Sequence, residues 1–595
     1  MPRMRGRAIW KLNLSPDFHR ASICSILPPD HGPWRAGLDS ILKKQRTRVA
    51  IAGGGPAGMV LAIELGRRGV PCILVDEDER PPRFPKANAT TARSMEHFRR
   101  LGFSERIRAQ GLPPDFPQDI AYFTRYSSHE LARLPGLTRE EARTRRAAHD
   151  DRWPTPEPLH RGQQMLIEPV LLDEVRRYAS VTLQLGMRVT SVERLEAGGL
   201  VHCESASNGE PLLIEADYVV GCDGPRSRVR EALGIRYEGL REDDRDFMGG
   251  RMLTVYFRAP DFYAATGKGR SWQYWAVNRE CRGLTISIDG ADQIACALQL
   301  PPGVAPTREF AERGLIATMG APFNFDIIGI SEWTAGYMLV AERFADDSPE
   351  PRLLLAGDAA HLFTPTGGQG YNTAVDDATN LGWKLAAVCQ GWGGPSLLAS
   401  YQAERQPIAR RNTRFSYAMA ESIGRLPLPE HLEHDSDDGR AARAVLGARL
   451  ADHARREFDI PGIHLGVFYA DSPLIGLDAS YAPADDWYAY RPHATPGARA
   501  PHLWVDEKRA IFDCFGRDFT LLCLDGADAS AAEAIASDAR KAGVPLETVT
   551  VAGATARELY GASHVLIRPD HHVGWRGDRL PQDFATVLGR ARGTP

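Results

Sequence analysis

The hexapeptide Gly53-Gly54-Gly55-Pro56-Ala57-Gly58 constrains this chain more than any other stretch. It follows Val49-Ala50-Ile51-Ala52, a short apolar run that reads as a buried strand by its length and flanks. It opens Pro56 to Gly66, whose apolar positions Met59, Val60, Ile63 and Leu65 read as a helix. After Gly69, Cys72-Ile73-Leu74-Val75 reads as a second strand ending in Asp76. Strand–helix–strand implies a right-handed parallel crossover, the start of a doubly wound α/β sheet. The spacing of Gly53, Gly55 and Gly58 is that of G-x-G-x-x-G. One glycine makes the turn, one lets backbone approach a pyrophosphate, and one lets helix and strand pack closely. The phosphate sits on the helix N-terminus, where free N–H groups and the dipole favour negative charge. Asp76 lies 23 residues after Gly53, where an acid accepts the ribose hydroxyls of a dinucleotide.

The length of 595 residues implies about four domains or fewer large ones. Apolar residues at 43% and charged residues at 25% exclude wholesale disorder. No run approaches the roughly 18 apolar residues that span a bilayer, so membrane insertion is not expected. A net charge of −4 supplies no global field for nucleic acid. The nine cysteines are scattered singly with no CxxC spacing, which predicts reduced thiols in a cytoplasmic protein. Residues 1–46 carry nine basic residues against Asp17, Asp30 and Asp39 and read as a disordered leader. Cys24, Ser25 and Pro28-Pro29 interrupt any signal-peptide core there.

Further along, Thr91 to Leu101 reads as a helix, Val181 to Val192 and Leu213 to Gly221 as strands, and Arg226 to Leu233 as a helix. Short alternating runs, Leu253 to Phe257, Tyr274 to Val277, Leu284 to Ile288 and Ile294 to Leu298, predict an antiparallel sheet covered on one face. Leu353 to Ala356 reads as another buried strand before a glycine-rich loop and a long helix. Pro427 to Arg443 and Ala482 to Pro501 are polar or Pro-rich and mark an excursion or linker. The tail reads as a small α/β module, with strands at 519–524, 546–551 and 565–568 and a helix at 529–542.

Two further stretches identify the dinucleotide. Asp223-Gly224-Pro225-Arg226-Ser227-Arg228 closes a strand and starts a helix, and Gly357-Asp358-Ala359-Ala360-His361 precedes Pro365-Thr366-Gly367-Gly368-Gln369-Gly370-Tyr371-Asn372. With these residues the chain resembles the single-component FAD-dependent aromatic hydroxylases, the para-hydroxybenzoate hydroxylase-like flavoprotein monooxygenases. More narrowly it is similar to the phenol and chlorophenol hydroxylase branch, which carries a thioredoxin-like C-terminal domain. The resemblance implies a Rossmann-like FAD-binding domain over 47–425 with an inserted substrate-binding sheet at about 240–350. It also implies a linker or helical excursion over 426–500 and a thioredoxin-like domain over 501–595. It places Asp358 on the ribityl or pyrophosphate region of FAD, and Asp223 where it supports FAD and the passage of NAD(P)H. The helix after Gly368 and Gly370 then points at the flavin N1–C2=O edge, where its dipole stabilises the charge left by reduction. Arg93 matches the arginine that contacts FAD phosphates, and Gln164 a glutamine near the ribityl chain. Cys514 and Cys523 cannot form a CxxC pair; Trp487, Tyr488 and Tyr490 are expected to anchor the tail.

The resemblance implies that NAD(P)H reduces FAD, that O2 adds at flavin C4a, and that the resulting hydroperoxyflavin hydroxylates a phenolic or other aromatic ring. Oxygen addition must be kept from bulk water, and the phenol must be polarised or deprotonated. Relatives of the phenol hydroxylase type carry an acid five residues before the motif arginine; here that position is Asn88, which accepts a hydrogen bond but takes no proton. Tyr274, Arg251 and His361 are the other polar candidates. The partners expected are a small aromatic substrate, O2 and a second copy in a homodimer, with no metal. Open alternatives are a Baeyer–Villiger or epoxidising oxygenase on the same scaffold and a flavoprotein without oxygen insertion. One glycine motif without a second argues against a two-dinucleotide disulfide reductase.

Overall fold

The computed structural model describes residues 43–81, 83–147, 150–241, 245–476 and 484–594. Of the expected leader, residues 1–42 lie outside the described residues, and the chain from Lys43 is already strand β1 (Lys43–Ala52). The polar stretch there is an alternating strand face rather than a leader: Thr47 is buried between exposed Arg46 and Arg48. The Pro56–Gly66 helix follows with Pro at its first turn, where a missing N–H costs no helical bond. It returns the chain to β2 (Cys72–Asp76), parallel to β1 from Val49↔Cys72 to Ala52↔Val75.

The first sheet runs β5-β2-β1-β8-β7-β6, with one more strand, β16 (Leu353–Leu355), beside β8. Its members are β5 (Val181–Leu185), β6 (Met187–Leu195), β7 (Gly198–Ser205) and β8 (Pro211–Gly221). The single strand expected over Val181 to Val192 is therefore two. Gly186 adopts φ +73, a conformation that turns the chain; β5 continues parallel to β2 while β6 pairs antiparallel with β7. The Arg228–Ala232 helix is shorter than expected, and Ser227 Oγ caps it by accepting the Arg230 N–H at 3.0 Å.

The second sheet has the order β14-β10-β13-β12-β11-β3-β4. The four alternating runs form β10 (Gly250–Arg258), β11 (Gln273–Val277), β12 (Arg282–Ser287) and β13 (Gln293–Gln299). It is not wholly antiparallel, because β3 (Ile120–Phe123) pairs parallel with β11; β4 (Glu130–Leu134) and β14 (Asp326–Ala335) complete the edges. One face buries Leu253, Val255, Tyr274, Cys296 and Leu298 with Ala311 and Leu315 of the Arg308–Met319 helix. A small sheet of β9 (Tyr237–Arg241), β15 (Tyr337–Ala341) and β17 (His361–Phe363) stands beside the glycine-rich loop that leads into the Gln369–Cys389 helix.

The polar segment expected as a linker from Pro427 contains the start of a long helix, Asp437–Phe458, capped by Ser436. Its apolar stripe, Leu446, Leu450 and Ala454, begins only at the third turn, so its charged first turns carry no helical pattern, and of the two alternatives, linker or helical excursion, the helix is what forms here. In the tail, β18 (Phe519–Cys523) and β19 (Leu546–Thr550) are parallel, while β20 (His564–Ile567) and β21 (Val573–Gly577) are antiparallel, giving the order β19-β18-β20-β21. Cys514 is half-buried, Cys523 is buried, and both are free thiols. No helix among the described residues is long and apolar enough to cross a membrane.

Candidate active site

A cavity of about 1350 Å³ opens where the C-terminal ends of β1 and β2 meet the face of the second sheet opposite the Arg308–Met319 helix. One end is lined by Gly54, Gly55, Pro56 and Asp76. Gly53 does not line it; it makes the turn with φ +104, and a Cβ there would meet the Cys222 carbonyl oxygen at 2.2 Å. A Cβ on Gly58 would meet the Gly53 oxygen at 1.9 Å, so helix and strand approach as closely as the motif requires. A Cβ on Gly55 would meet nothing within 4 Å, because that position faces the open cavity. Asp76 Oδ2 accepts the Gly54 N–H at 2.5 Å and Oδ1 the Asp78 N–H at 2.9 Å. Burial pushes its pKa up, against these two backbone bonds.

Gly357 (φ +60), Asp358, Gly368 and Gly370 also wall the cavity. Asp358 is exposed to the cavity yet enclosed by protein, and burial pushes its pKa up, with His361 and Lys86 opposing. Tyr237 donates its hydroxyl to the Asp358 carbonyl and lies under Arg230 at 4.0 Å. Asn372 fastens the loop: its Nδ2 donates to the carbonyls of Gly368 at 2.7 Å and Ala89 at 2.9 Å, and its Oδ1 accepts the Thr91 N–H at 2.8 Å. Gln164 lines the cavity and donates to Glu168 Oε1 at 2.6 Å. Sequence reasoning missed Lys86, Glu168 and Asn372; Lys86 follows the Pro81–Pro85 stretch, where no regular pattern signals a site.

Five further expected site residues, Arg93, Tyr274, His361, Asp223 and Arg251, do not line the cavity. Arg93 is buried and donates to Glu96 Oε2 at 3.0 Å and to the Asp570 carbonyl at 2.7 Å, so it ties its helix to the C-terminal module instead of lining the cavity. Tyr274 points to the covered face of the sheet, where its hydroxyl donates to the Gly269 carbonyl and accepts the Ser271 N–H, both at 2.8 Å. Its strand alternation puts Trp275, not Tyr274, on the other side. His361 is buried against Asp377 at 2.6 Å, and Arg405 bonds the other oxygen of Asp377 at 2.8 Å. Asp223 sits just behind the wall formed by Cys222 and Gly224, accepting the Arg228 N–H at 2.7 Å. Arg251 is tied to Glu332 at 2.6 Å. Asn88 does line the cavity.

The other end of the cavity is apolar. Leu284 and Ile286 of β12, Ala295 and Ala297 of β13, Thr254 of β10 and Trp333 of β14 share one face by the strand period of two. Trp333 Nε1 donates to Thr254 Oγ1 at 2.9 Å, which orients the indole. A polar, backbone-rich end with a helix N-terminus and an apolar end of β-sheet is what a dinucleotide and a ring substrate require together. The Cβ-excluding turn, the open Gly55 and the Asp76 anchor fit FAD.

Residues 46–416 match the family described as FAD binding domain, and residues 493–595 match aromatic-ring hydroxylase, C-terminal. The chain belongs to the FAD-dependent aromatic-ring hydroxylases. It is 30% identical over 572 residues to the FAD-dependent monooxygenase apdD of Emericella nidulans, covering 92% of this chain and 90% of that protein. Among solved structures it is similar to RebC with bound 7-carboxy-K252c, with a TM-score of 0.83, 32% identity, and coverage of 93% of this chain and 100% of that one. It is also similar to the ternary complex of aklavinone-11 hydroxylase with FAD and aklavinone, with a TM-score of 0.74, 26% identity, and coverage of 92% and 99%. As an aromatic-ring hydroxylase it is a flavoprotein monooxygenase whose cofactor is FAD.

Proposed function

We propose that this hydroxylase acts on a phenolic substrate of more than one ring, with NAD(P)H as reductant and O2 as oxidant. The observation that carries the reading is the breadth of the apolar wall. It spans the adjacent strands β12, β13, β10 and β14, three inter-strand spacings, or roughly 14 Å. A single phenol ring would leave most of that wall wet. Bound flavin supplies the activation of O2, so that one oxygen atom reaches an electron-rich ring and the other leaves as water.

The chain's own residues do the rest. Leu284, Ile286, Ala295 and Ala297 exclude water from the ring's surroundings, and Trp333 gives it an aromatic face. Gly55 and the first turn of the Pro56–Gly66 helix beyond Pro56 offer backbone N–H groups to the diphosphate, the Gly54 N–H being held by Asp76, and Lys86 adds charge beside Asp358 and Glu168. Asn88 offers its amide oxygen to the substrate hydroxyl, orienting it and raising ring electron density without taking the proton. Asn88→Ala should lower kcat/KM about tenfold, the worth of one hydrogen bond, with flavin content unchanged by absorbance. Arg93, on this reading, supports the cofactor domain through Glu96 rather than the phosphates.

The test is NADPH and NADH oxidation with and without one-ring and fused-ring phenols, with mass spectrometry of products made under labelled O2. Fused-ring phenols should stimulate oxidation at least tenfold and gain one labelled oxygen. Unstimulated oxidation overturns the reading, and a lactone or ester product replaces it with Baeyer–Villiger chemistry. The proposal includes a reduced, cytoplasmic homodimer, supported on the redox side by eight described cysteines that are all free; light scattering checks the dimer.

A further inference from the structure

A second, smaller cavity lies behind the Gly367-Gly368 loop and shares Ala89 and Gly368 with the wall of the large one. Its volume is about 10 Å³, room for about one water. Glu457, from the far end of the Asp437–Phe458 helix, reaches it and accepts the Gly367 N–H on Oε1 at 2.9 Å. The other carboxylate oxygen lies 2.8 Å from His453 Nε2, and His453 Nδ1 lies 3.1 Å from Ser422 Oγ. Arg161 lines the same cavity with its guanidinium flat on Trp272 at 3.7 Å, and Glu457 is the charged group that acts on it. Arg161 Nε and the Tyr122 hydroxyl, also in the field of Glu457, have no hydrogen-bond partner among the described residues. His464 closes the cavity from the remaining side.

Unpartnered buried polar groups of this kind cost stability. Arg161 is retained here beside one loop, whose Gly367 (φ +70) and Gly368 (φ +65) hold conformations that side chains rarely adopt. We propose that Glu457 and Arg161 are a positioning pair that sets the reduction potential of the bound flavin through this loop. Glu457 holds the Gly367 N–H and places a negative charge behind the loop; Arg161 opposes it with a positive one. The inference rests on the flavin seat at Gly367–Gly370. Reduction adds negative charge to the flavin, so removing the charge of Glu457 favours the reduced form and removing that of Arg161 disfavours it.

The experiment measures the midpoint potential of purified holoenzyme by dye equilibration for the parent, Glu457→Gln and Arg161→Met. Glutamine keeps an acceptor oxygen for Gly367, so E457Q should retain one FAD per chain. Its potential should rise by at least a tenfold change in the reduced-to-oxidised ratio, about 30 mV for a two-electron couple. R161M should shift the opposite way. Shifts of the same sign, or none in either variant, overturn the proposal, because a merely structural role gives no reason for opposite signs. If E457Q loses its flavin, R161M decides alone by the sign of its shift. A parent that takes up no flavin would instead refute the seat on which the inference rests.

Discussion

Gly55→Trp should yield a folded, colourless protein. The parent position faces open cavity, with no heavy atom within 4 Å of a Cβ, so the side chain can extend into the cavity and the fold should survive. It fills the space beside Gly54 and Pro56 that we propose for the diphosphate at the helix N-terminus. FAD affinity should fall at least a thousandfold, about 4 kcal/mol, by fluorescence titration, while circular dichroism and the unfolding midpoint stay at parental values. Gly58→Ala is the contrast. Its methyl would lie 1.9 Å from the Gly53 oxygen, a backbone atom that cannot rotate away, so that variant should lose folded protein together with flavin. A Gly55→Trp protein with parental flavin content would move the cofactor away from this turn.

Arg568→Met should be among the most destabilising single changes in the chain. Arg568 donates to Glu404 at 2.6 and 2.8 Å and to Asp570 at 2.7 and 3.1 Å, and all three residues are buried. Glu404 also takes bonds from Lys384 Nζ at 2.6 Å and Asn380 Nδ2 at 2.7 Å, and Asp570 from Trp383 Nε1 at 3.2 Å. Removing the guanidinium leaves two buried carboxylates facing one ammonium, a loss of about 3–5 kcal/mol by urea denaturation. The exposed Arg313–Glu309 pair, at 2.7 Å, should cost under about 1 kcal/mol when broken. The same interface sets acid stability. Burial raises the pKa of Glu96, but Arg499 and Arg93 overcome it and hold that carboxyl at about 2 against an ordinary 4.5. Glu64 is held at about 2 by Arg100 and Arg68 against the same burial. A lowered carboxylate stabilises fully above its unfolded pKa, so this stability is present above about pH 4.5 and is lost as pH falls towards 2. An acid titration by circular dichroism should show the tail and the FAD-binding domain losing structure within that window.

The local signals were the reliable ones. The turn at Gly53 to Gly58, both flanking elements and Asp76 stand where contiguous residues predicted, because a crossover is built from neighbours in the chain. Gly357, Asp358, Gly368 and Gly370 line the cavity for the same reason. Arg93 misled because a motif fixes a residue on a helix without saying which neighbour the helix meets; Glu96 and Asp570 decided that, the latter 477 positions away. Tyr274 and Trp275 are adjacent and both buried, and the tertiary packing put Tyr274 in the core with the Arg308–Met319 helix and Trp275 in the core on the opposite face.

Sequence by itself determined the doubly wound sheet, the dinucleotide turn and the alternating sheet, since each is written in spacings of a few residues, and the flavin class through the resemblance that its motifs carry. Tertiary structure alone decided the breadth of the substrate wall, the buried ionic contacts that bind the tail, and the placing of Glu457 and Arg161 behind Gly367. These depend on charges and faces brought together from segments tens to hundreds of positions apart, and their energy comes from a shared low-dielectric interior that exists only once the chain has folded.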